Sequence, residues 1–454
     1  MTKTRYVTLV AAGAALGGFL FGFDTSTMNS AIAGIRSTLG LDSAAVGFAA
    51  AVSLMGCAAG AWFAGPLAAR HGRTSVMFLA GVLLAVGSGG VALVSHVIAV
   101  GVVRFIVGLG IGAASAVVPA YIGEISPTEI RGRLGSLWQF GIVLGQLLGL
   151  VVGYALTAVA GSEAAPVPWG GAAWRWMFAV VALGAAAYVA VARWLPQSPH
   201  DLIRQGRDAE AAAELVRISE APPAERIAEI RQAQAGQRVG RLADLRGPRL
   251  GLKGIVWTGI LLAAFQQLVG INVVKTYSNT LWQAVGFSTE SAFTISIITV
   301  LVSIASTVVA MMLIDRVGRR TLLVAGGVVM VVSLGTLGAS FSTAGAGAGD
   351  VSLGRGPAIA ALAAINVYAV GFGVTWGPVM WVMLSELFDS DIRTIAVAVC
   401  TAMNWLTNWS VTRTFPLLAE LGLGVVYSLY AVFALAAVIF VLKVLPETRG
   451  RRLR

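Results

Sequence analysis

The chain has 454 residues, of which 57% are hydrophobic and only 12% charged, with a formal net charge of +11. Soluble domains carry about 25% charged residues, so this composition excludes an ordinary globular enzyme and points to lipid. The cations are scattered through short segments between apolar runs, which excludes a nucleic-acid footprint.

The first apolar run, about 7–35, follows Lys3 and Arg5 and has no small-residue cleavage site, so it reads as a retained span and not a signal peptide. It contains Asp24, within Gly-Gly-Phe-Leu-Phe-Gly-Phe-Asp. An acid at that depth is costly and marks a task. Runs near 44–67, 74–94, 97–120, 134–160 and 173–195 follow, the 97–120 run carrying a lone Arg104. Asp24 and Arg104 could form a proton relay, or a static pair that locks two helices. Next comes a polar stretch, about 197–253, with helical patterns at 208–219 and, after Pro222-Pro223, at 224–235. It is too small for an independent core and is expected to pack under a helical bundle. Six further runs lie near 254–283, 291–314, 321–341, 357–384, 396–418 and 424–445, with a flexible linker at Gly345 to Gly349.

A span takes about 20 residues, so the pattern is twelve transmembrane helices, six in each of two halves. The division is 1–196, a linker at 197–253, and 254–454. Arg70 and Arg73, Arg131 and Arg133, Arg316, Arg319 and Arg320, and Arg393 fall in alternate loops, together with Lys3 and Arg5 and the tail residues Arg449, Arg451, Arg452 and Arg454. The positive-inside bias then puts both termini in the cytoplasm of a multi-pass plasma-membrane protein. Cys57 and Cys400 sit far apart in apolar segments and read as small packing residues. No metal spacing, nucleophile–base set or phosphate loop is present, so neither a metal, a cofactor nor an enzyme is expected.

The halves repeat each other. Gly65-Pro66-Leu67-Ala68-Ala69-Arg70-His71-Gly72-Arg73 after the second span matches Asp315-Arg316-Val317-Gly318-Arg319-Arg320 after the eighth. Glu124 to Arg131-Gly132 matches Glu386 to Arg393. To these are added Pro119-Ala120-Tyr121-Ile122-Gly123-Glu124, Trp174-Arg175-Trp176-Met177, Gln266-Gln267-Leu268-Val269-Gly270-Ile271-Asn272, Trp376-Gly377-Pro378 and Pro446-Glu447-Thr448-Arg449-Gly450. By this ordered set the chain resembles the sugar porter family of the major facilitator superfamily over nearly its whole length.

The resemblance implies an all-α major facilitator fold of two pseudo-symmetric six-helix halves that rock around a central site. It implies proton-driven import of a monosaccharide, because an acid at the position of Asp24 marks proton-coupled members while facilitators carry an amide. A carboxylate's proton affinity depends on whether a guanidinium stands beside it, so moving Arg104 would capture or release a proton. Sugar hydroxyls both donate and accept, which suits amides, and the ring face suits an indole. The implied sugar contacts are Gln139, Gln146, Gln266, Gln267, Asn272, Trp376, Asn404 and Trp405; amides between helices are also simple glue. A gate is implied from Arg70, Arg73, Glu124, Arg131, Asp315, Arg316, Arg319, Glu386 and Arg393, although arginines there also satisfy topology alone. Gly270-Ile271-Asn272 and Gly371 to Pro378 would weaken their spans, either to gate a site or as packing kinks.

The chain departs from the family pattern at Ala69 for Asp, at Pro196-Gln197-Ser198-Pro199-His200 for Pro-Glu-Ser-Pro-Arg, and at Ser303 for Asn. Lys275 and Arg413 replace aromatic-rich positions. Lys275 either faces the cavity, favouring an acidic sugar, or snorkels to headgroups. Partners are therefore a small sugar, protons and the bilayer, with no nucleic acid and a functional monomer. A facilitator of sugar or polyol, a sugar-acid symporter and a non-transporting sensor are the alternatives; a sensor would carry a long signalling tail.

Overall fold

The computed structural model describes residues 3–127, 130–218, 222–235, 242–284, 286–343, 353–388 and 390–447. The apolar runs all become helices, because in lipid each backbone polar group must be satisfied within its own segment. The first six are α1 (Lys3–Leu39), α2 (Ser43–His71), α3 (Arg73–Leu93), α4 (Val97–Ile125), α5 (Arg131–Ala160) and α6 (Ala173–Trp194). The polar stretch folds into α7 (Pro199–Arg204), α8 (Asp208–Ile218) and α9 (Pro223–Ala235), then a 3-10 turn at Leu242–Leu245 and the short strand β1 (Arg246–Arg249). Leu202, Ile203, Ala211 and Ile230 form a small apolar cluster of their own. Asp201 and Tyr6 tie the linker to the membrane helices.

In the second half the seventh span is broken into α10 (Gly254–Leu268), α11 (Ile271–Thr276) and α12 (Ser278–Ala284). There follow α13 (Thr289–Val317), α14 (Arg319–Ser342), α15 (Arg355–Gly371), a π-helical turn at Phe372–Trp376, α16 (Gly377–Leu387), α17 (Ser390–Ala419) and α18 (Leu423–Lys443). Among the described residues, eleven helical segments are long and apolar enough to cross a membrane. The twelfth, α17, has the length, at 30 residues, but is the least apolar of the long helices. Asn404, Asn408, Ser410, Thr412 and Arg413 lower its apolar content, and Asn404, Asn408 and Thr412 are buried. The expected loop at Gly345 to Gly349 and the tail arginines 449, 451, 452 and 454 lie outside the described residues.

The chain forms two compact units. The first comprises Met1–Asp24, Val52–Leu148 and Arg175–Val239; the second comprises Thr25–Ala51, Gly149–Trp174 and Gly240–Arg454. The unit boundaries cut across α1, α2 and α5, because the ends of these helices remote from the linker pack on second-half elements. Asn29 Oδ1 accepts from the Asn279 N–H at 3.1 Å, and the Tyr154 ring meets Phe293 edge-on at 5.8 Å. At Gly47 an added Cβ would lie 2.4 Å from the Arg413 carbonyl.

Inside the first unit, glycines four apart on facing helices let the backbones approach. A Cβ on Gly56, Gly60, Gly108 or Gly112 would lie 1.9–2.2 Å from a carbonyl oxygen across the α2–α4 seam. Small residues at this spacing are how membrane helices gain dispersion contact without a hydrophobic driving force. Arg175 closes the opposite end by donating to the Ala92 and Val94 carbonyls at 2.9 Å each, which satisfies the C-terminus of α3.

Candidate functional site

Asp24 and Arg104 meet. One guanidinium nitrogen donates to both Asp24 oxygens, at 2.7 and 2.9 Å, and both residues are 2% exposed. The second terminal nitrogen donates to Ser53 Oγ at 3.1 Å, and the guanidinium lies over the Phe178 ring, 5.6 Å from its centroid. Ser53 and Phe178 complete the pair, yet neither stands out in the sequence, since serine and phenylalanine are ordinary span residues. Arg104 Nε is buried with no hydrogen-bond partner among the described residues. A charge pair so desolvated persists only with good geometry, and breaking it on one side is costly.

In the same unit Gln146 is 4% exposed, and its Oε1 has no hydrogen-bond partner among the described residues. Gln139, two turns earlier on α5, is half-buried. At the linker end, Arg73 pairs with Glu124 and with the fully buried Asp201. Glu124 also accepts from Ser198 Oγ. Arg70 is exposed.

The second unit gathers four of the expected amides around the break in the seventh span. Gln267 donates to Asn404 Oδ1 at 3.0 Å and to Gln266 Oε1 at 3.1 Å, and accepts from Asn272 at 2.6 Å. Asn404 donates to Gln266 Oε1 at 2.7 Å and to the Ala263 carbonyl at 3.0 Å. Gln266 in turn donates to the Trp376 carbonyl at 3.1 Å, where the π-helical turn ends. Such a turn leaves the normal ladder, which is why π-bulges recur at functional positions. The break itself is set by Gly270, whose φ of +81° is left-handed; an added Cβ there would also sit 2.5 Å from the Tyr430 ring. The cluster joins α10, α11, α16 and α17 through neutral groups that both donate and accept, a surface able to exchange amide partners for hydroxyls.

The expected ring contact, Trp376, ends the π-helical turn. Trp376 is fully buried, and its indole N–H donates to the Leu323 carbonyl of α14 at 2.9 Å, so its face is committed to packing. Trp381, one turn beyond Gly377, is 41% exposed. In the sequence a tryptophan in an apolar run looks like any other; the burial pattern separates the two. Trp405 is buried. Arg319 pairs with Glu386 at 3.0 Å within the second unit. The side chains of Arg131, Asp315, Arg316 and Arg393 lie outside the described residues.

The family model for "Sugar (and other) transporter" matches residues 10–454. The chain belongs to the sugar transporter family. It is 41% identical to the glucose transport protein of Synechocystis sp., over 99% of this chain and 97% of that one. It is 31% identical to the D-xylose-proton symporter of Escherichia coli, over 99% and 95% respectively. Its structure superposes on the xylose transporter of E. coli in a partially occluded inward-open conformation, with TM-score 0.85 and 30% identity, covering 99% and 100% of the two chains. The twelve-helix major facilitator fold and the multi-pass membrane character follow.

Three of the chain's departures from the family pattern, Lys275, Ser303 and Arg413, fall in the second unit with the amide cluster. Lys275 lies one turn after Asn272, half-buried, with no acidic side chain in ion-pairing reach among the described residues. Ser303 turns its hydroxyl back to the Thr299 carbonyl at 2.9 Å. Arg413 is half-buried on α17.

Proposed function

We propose that this protein imports a monosaccharide, a hexose or pentose, together with a proton by alternating access of its halves 1–196 and 254–454. Glucose and xylose are named for its relatives, and the amide cluster offers groups suited to either. The coupling reading is carried by one observation, the almost wholly buried Asp24–Arg104 pair. A membrane-buried acid with Arg104 as its one ion-pair partner among the described residues suits a site for one proton, and no cofactor is invoked beyond the proton gradient. Gln139 and Gln146 on α5, the cluster of Gln266, Gln267, Asn272 and Asn404, with Trp405 beside it and Trp381 as ring platform, form the sugar-contact set. Arg73, Glu124, Arg319 and Glu386, with Arg70, Arg131, Asp315, Arg316 and Arg393, form the gate. The working unit is a monomer in the plasma membrane with both termini cytoplasmic.

The test is uptake of labelled hexoses and pentoses into proteoliposomes with and without an inward proton gradient. Accumulation above equilibrium only with the gradient is expected. Equilibration unaffected by the gradient identifies a facilitator and sinks the coupling reading.

A second reading, symport of a sugar acid, is favoured by Lys275, a half-buried cation without an acidic partner among the described residues. Competition between a neutral sugar and its uronic acid in the parent and in Lys275→Met decides it. A ranking that the substitution leaves unchanged means that the lysine reaches headgroups and plays no part in selection.

A further inference from the structure

The two units solve the same problem with different carboxylates. Both α3 and α14 start at a glycine that supplies no side-chain cap, Gly72 with φ +84° and Gly318 with φ +99°. Each helix therefore needs an outside acceptor for its first N–H groups, where an anion also meets the positive end of the helix dipole. In the second unit that acceptor is Glu447. Its two oxygens take the Arg319 and Arg320 N–H groups at 3.2 and 3.1 Å, while the Arg319 guanidinium goes on to Glu386. In the first unit the Arg73 guanidinium goes to Glu124 in the same way, but the residue corresponding to Glu447 in the Pro446-Glu447 and Pro196-Gln197 pairing is an amide. Gln197 instead accepts from Arg207 at 2.9 Å. The repeat is short of a second acid here as well, Ala69 standing opposite Asp315.

The missing anion comes from four residues further on. Asp201, in the first turn of α7 and fully buried, accepts the Arg73 N–H at 2.8 Å through Oδ2. Its Oδ1 takes the Arg73 guanidinium and that of Arg204. Arg204 also donates to the Ala68 carbonyl at 3.2 Å, so the same linker helix closes the end of α2 as well as the start of α3. Two cations and a helix N-terminus converge on this one carboxylate, and the cost of its burial is met by three charge-assisted bonds.

We infer that Asp201 is a positioning residue of the transport cycle: the carboxylate that clamps the α2–α3 turn in the first unit, relocated from position 197 onto linker helix α7. The linker is then a working part of the clamp, since α7 holds Arg73 in reach of Glu124. A transporter built this way shows two features. Its turnover depends on an acid in the linker, and that dependence is transferable to residue 197, where the other unit keeps its acid.

The experiment compares the parent, Asp201→Asn, Gln197→Glu and the double variant, reconstituted in proteoliposomes. Sugar affinity is read by equilibrium binding and turnover by initial uptake and counterflow. Asp201→Asn is expected to slow turnover about tenfold, the kinetic equivalent of one weakened charge-assisted bond, with sugar affinity unchanged. Gln197→Glu in the same chain is expected to restore most of the rate, because the acid returns to the place that Glu447 holds in the second unit. A double variant as slow as Asp201→Asn, or an Asp201→Asn protein at parental rate, overturns the inference. If Asp201→Asn alone does not fold, recovery of folded, transporting protein by Gln197→Glu supports it and failure to recover overturns it. Loss of sugar binding in the parent would instead count against the proposed substrate and leave this comparison to be read by counterflow of whichever solute is carried.

Discussion

At the scale of single residues, the Asp24–Arg104 contact converts an expectation into a measurable one. Asp24→Asn keeps the acceptor toward Arg104 but removes the carboxylate, so gradient-driven accumulation should vanish while counterflow exchange persists; accumulation at the parental level would refute the proton role. Asp24→Ala should cost about 3–5 kcal/mol in stability by leaving a buried guanidinium uncompensated, read as a lower melting temperature in detergent. In the amide cluster, Gln267→Ala strips partners from both Asn272 and Asn404. Equilibrium binding should weaken by about 1–3 kcal/mol, and an unchanged affinity would make the cluster helix glue. These residues were legible in advance because each is the wrong polarity for its surroundings. Ser53, Phe178 and Asp201 were not, since their significance lies in what stands next to them.

At the scale of elements, the two tryptophans of the tenth span separate packing from contact. Trp376→Ala removes a fully buried ring whose N–H holds α14, and should cost stability by about 3–5 kcal/mol with whatever protein remains folded binding sugar normally. Trp381→Ala should do the reverse, leaving the melting temperature nearly unchanged and lowering sugar affinity; the opposite pattern would restore Trp376 as the ring platform. The break in the seventh span rests on one glycine. Gly270→Ala meets both a left-handed backbone and the Tyr430 ring, so destabilisation above about 1 kcal/mol is expected in thermal unfolding. The Gly-Ile-Asn run marked this break in the sequence. The Gly371 to Pro378 run resolves as a π-helical turn and not an open break, and Gln266 of another helix donates to the Trp376 carbonyl at its end, a pairing the run itself does not display.

At the scale of the whole molecule, the unit boundaries fall inside α1, α2 and α5 because these helices change partners along their length. Residues up to Asp24 in α1 pack with the first unit, and those from Thr25 with the second. Asn29→Ala removes the acceptor of the Asn279 N–H, a buried group with that bond as its tie to α1. Hydrogen exchange at the start of α12 should speed up, and stability should fall by about 1–3 kcal/mol. Exchange as slow as in the parent would mean that α12 is held by Ser296 and its neighbours without help from α1.

What the sequence determined by itself was the class, the span count, the repeat, and which polar residues lie at membrane depth. These follow from apolar run length and from the expense of polarity in lipid, both local properties. Polarity mattered even where it obscured a span, as in α17, whose amides lower its apolar content for the same reason that they matter. What the tertiary structure alone decided was partnership. It showed which indole is buried, which serine completes an ion pair, and that a linker aspartate accepts the first N–H of α3. Such pairings join residues far apart in the chain, Arg73 and Asp201 by 128 positions, and such a spacing carries no period for a sequence to display.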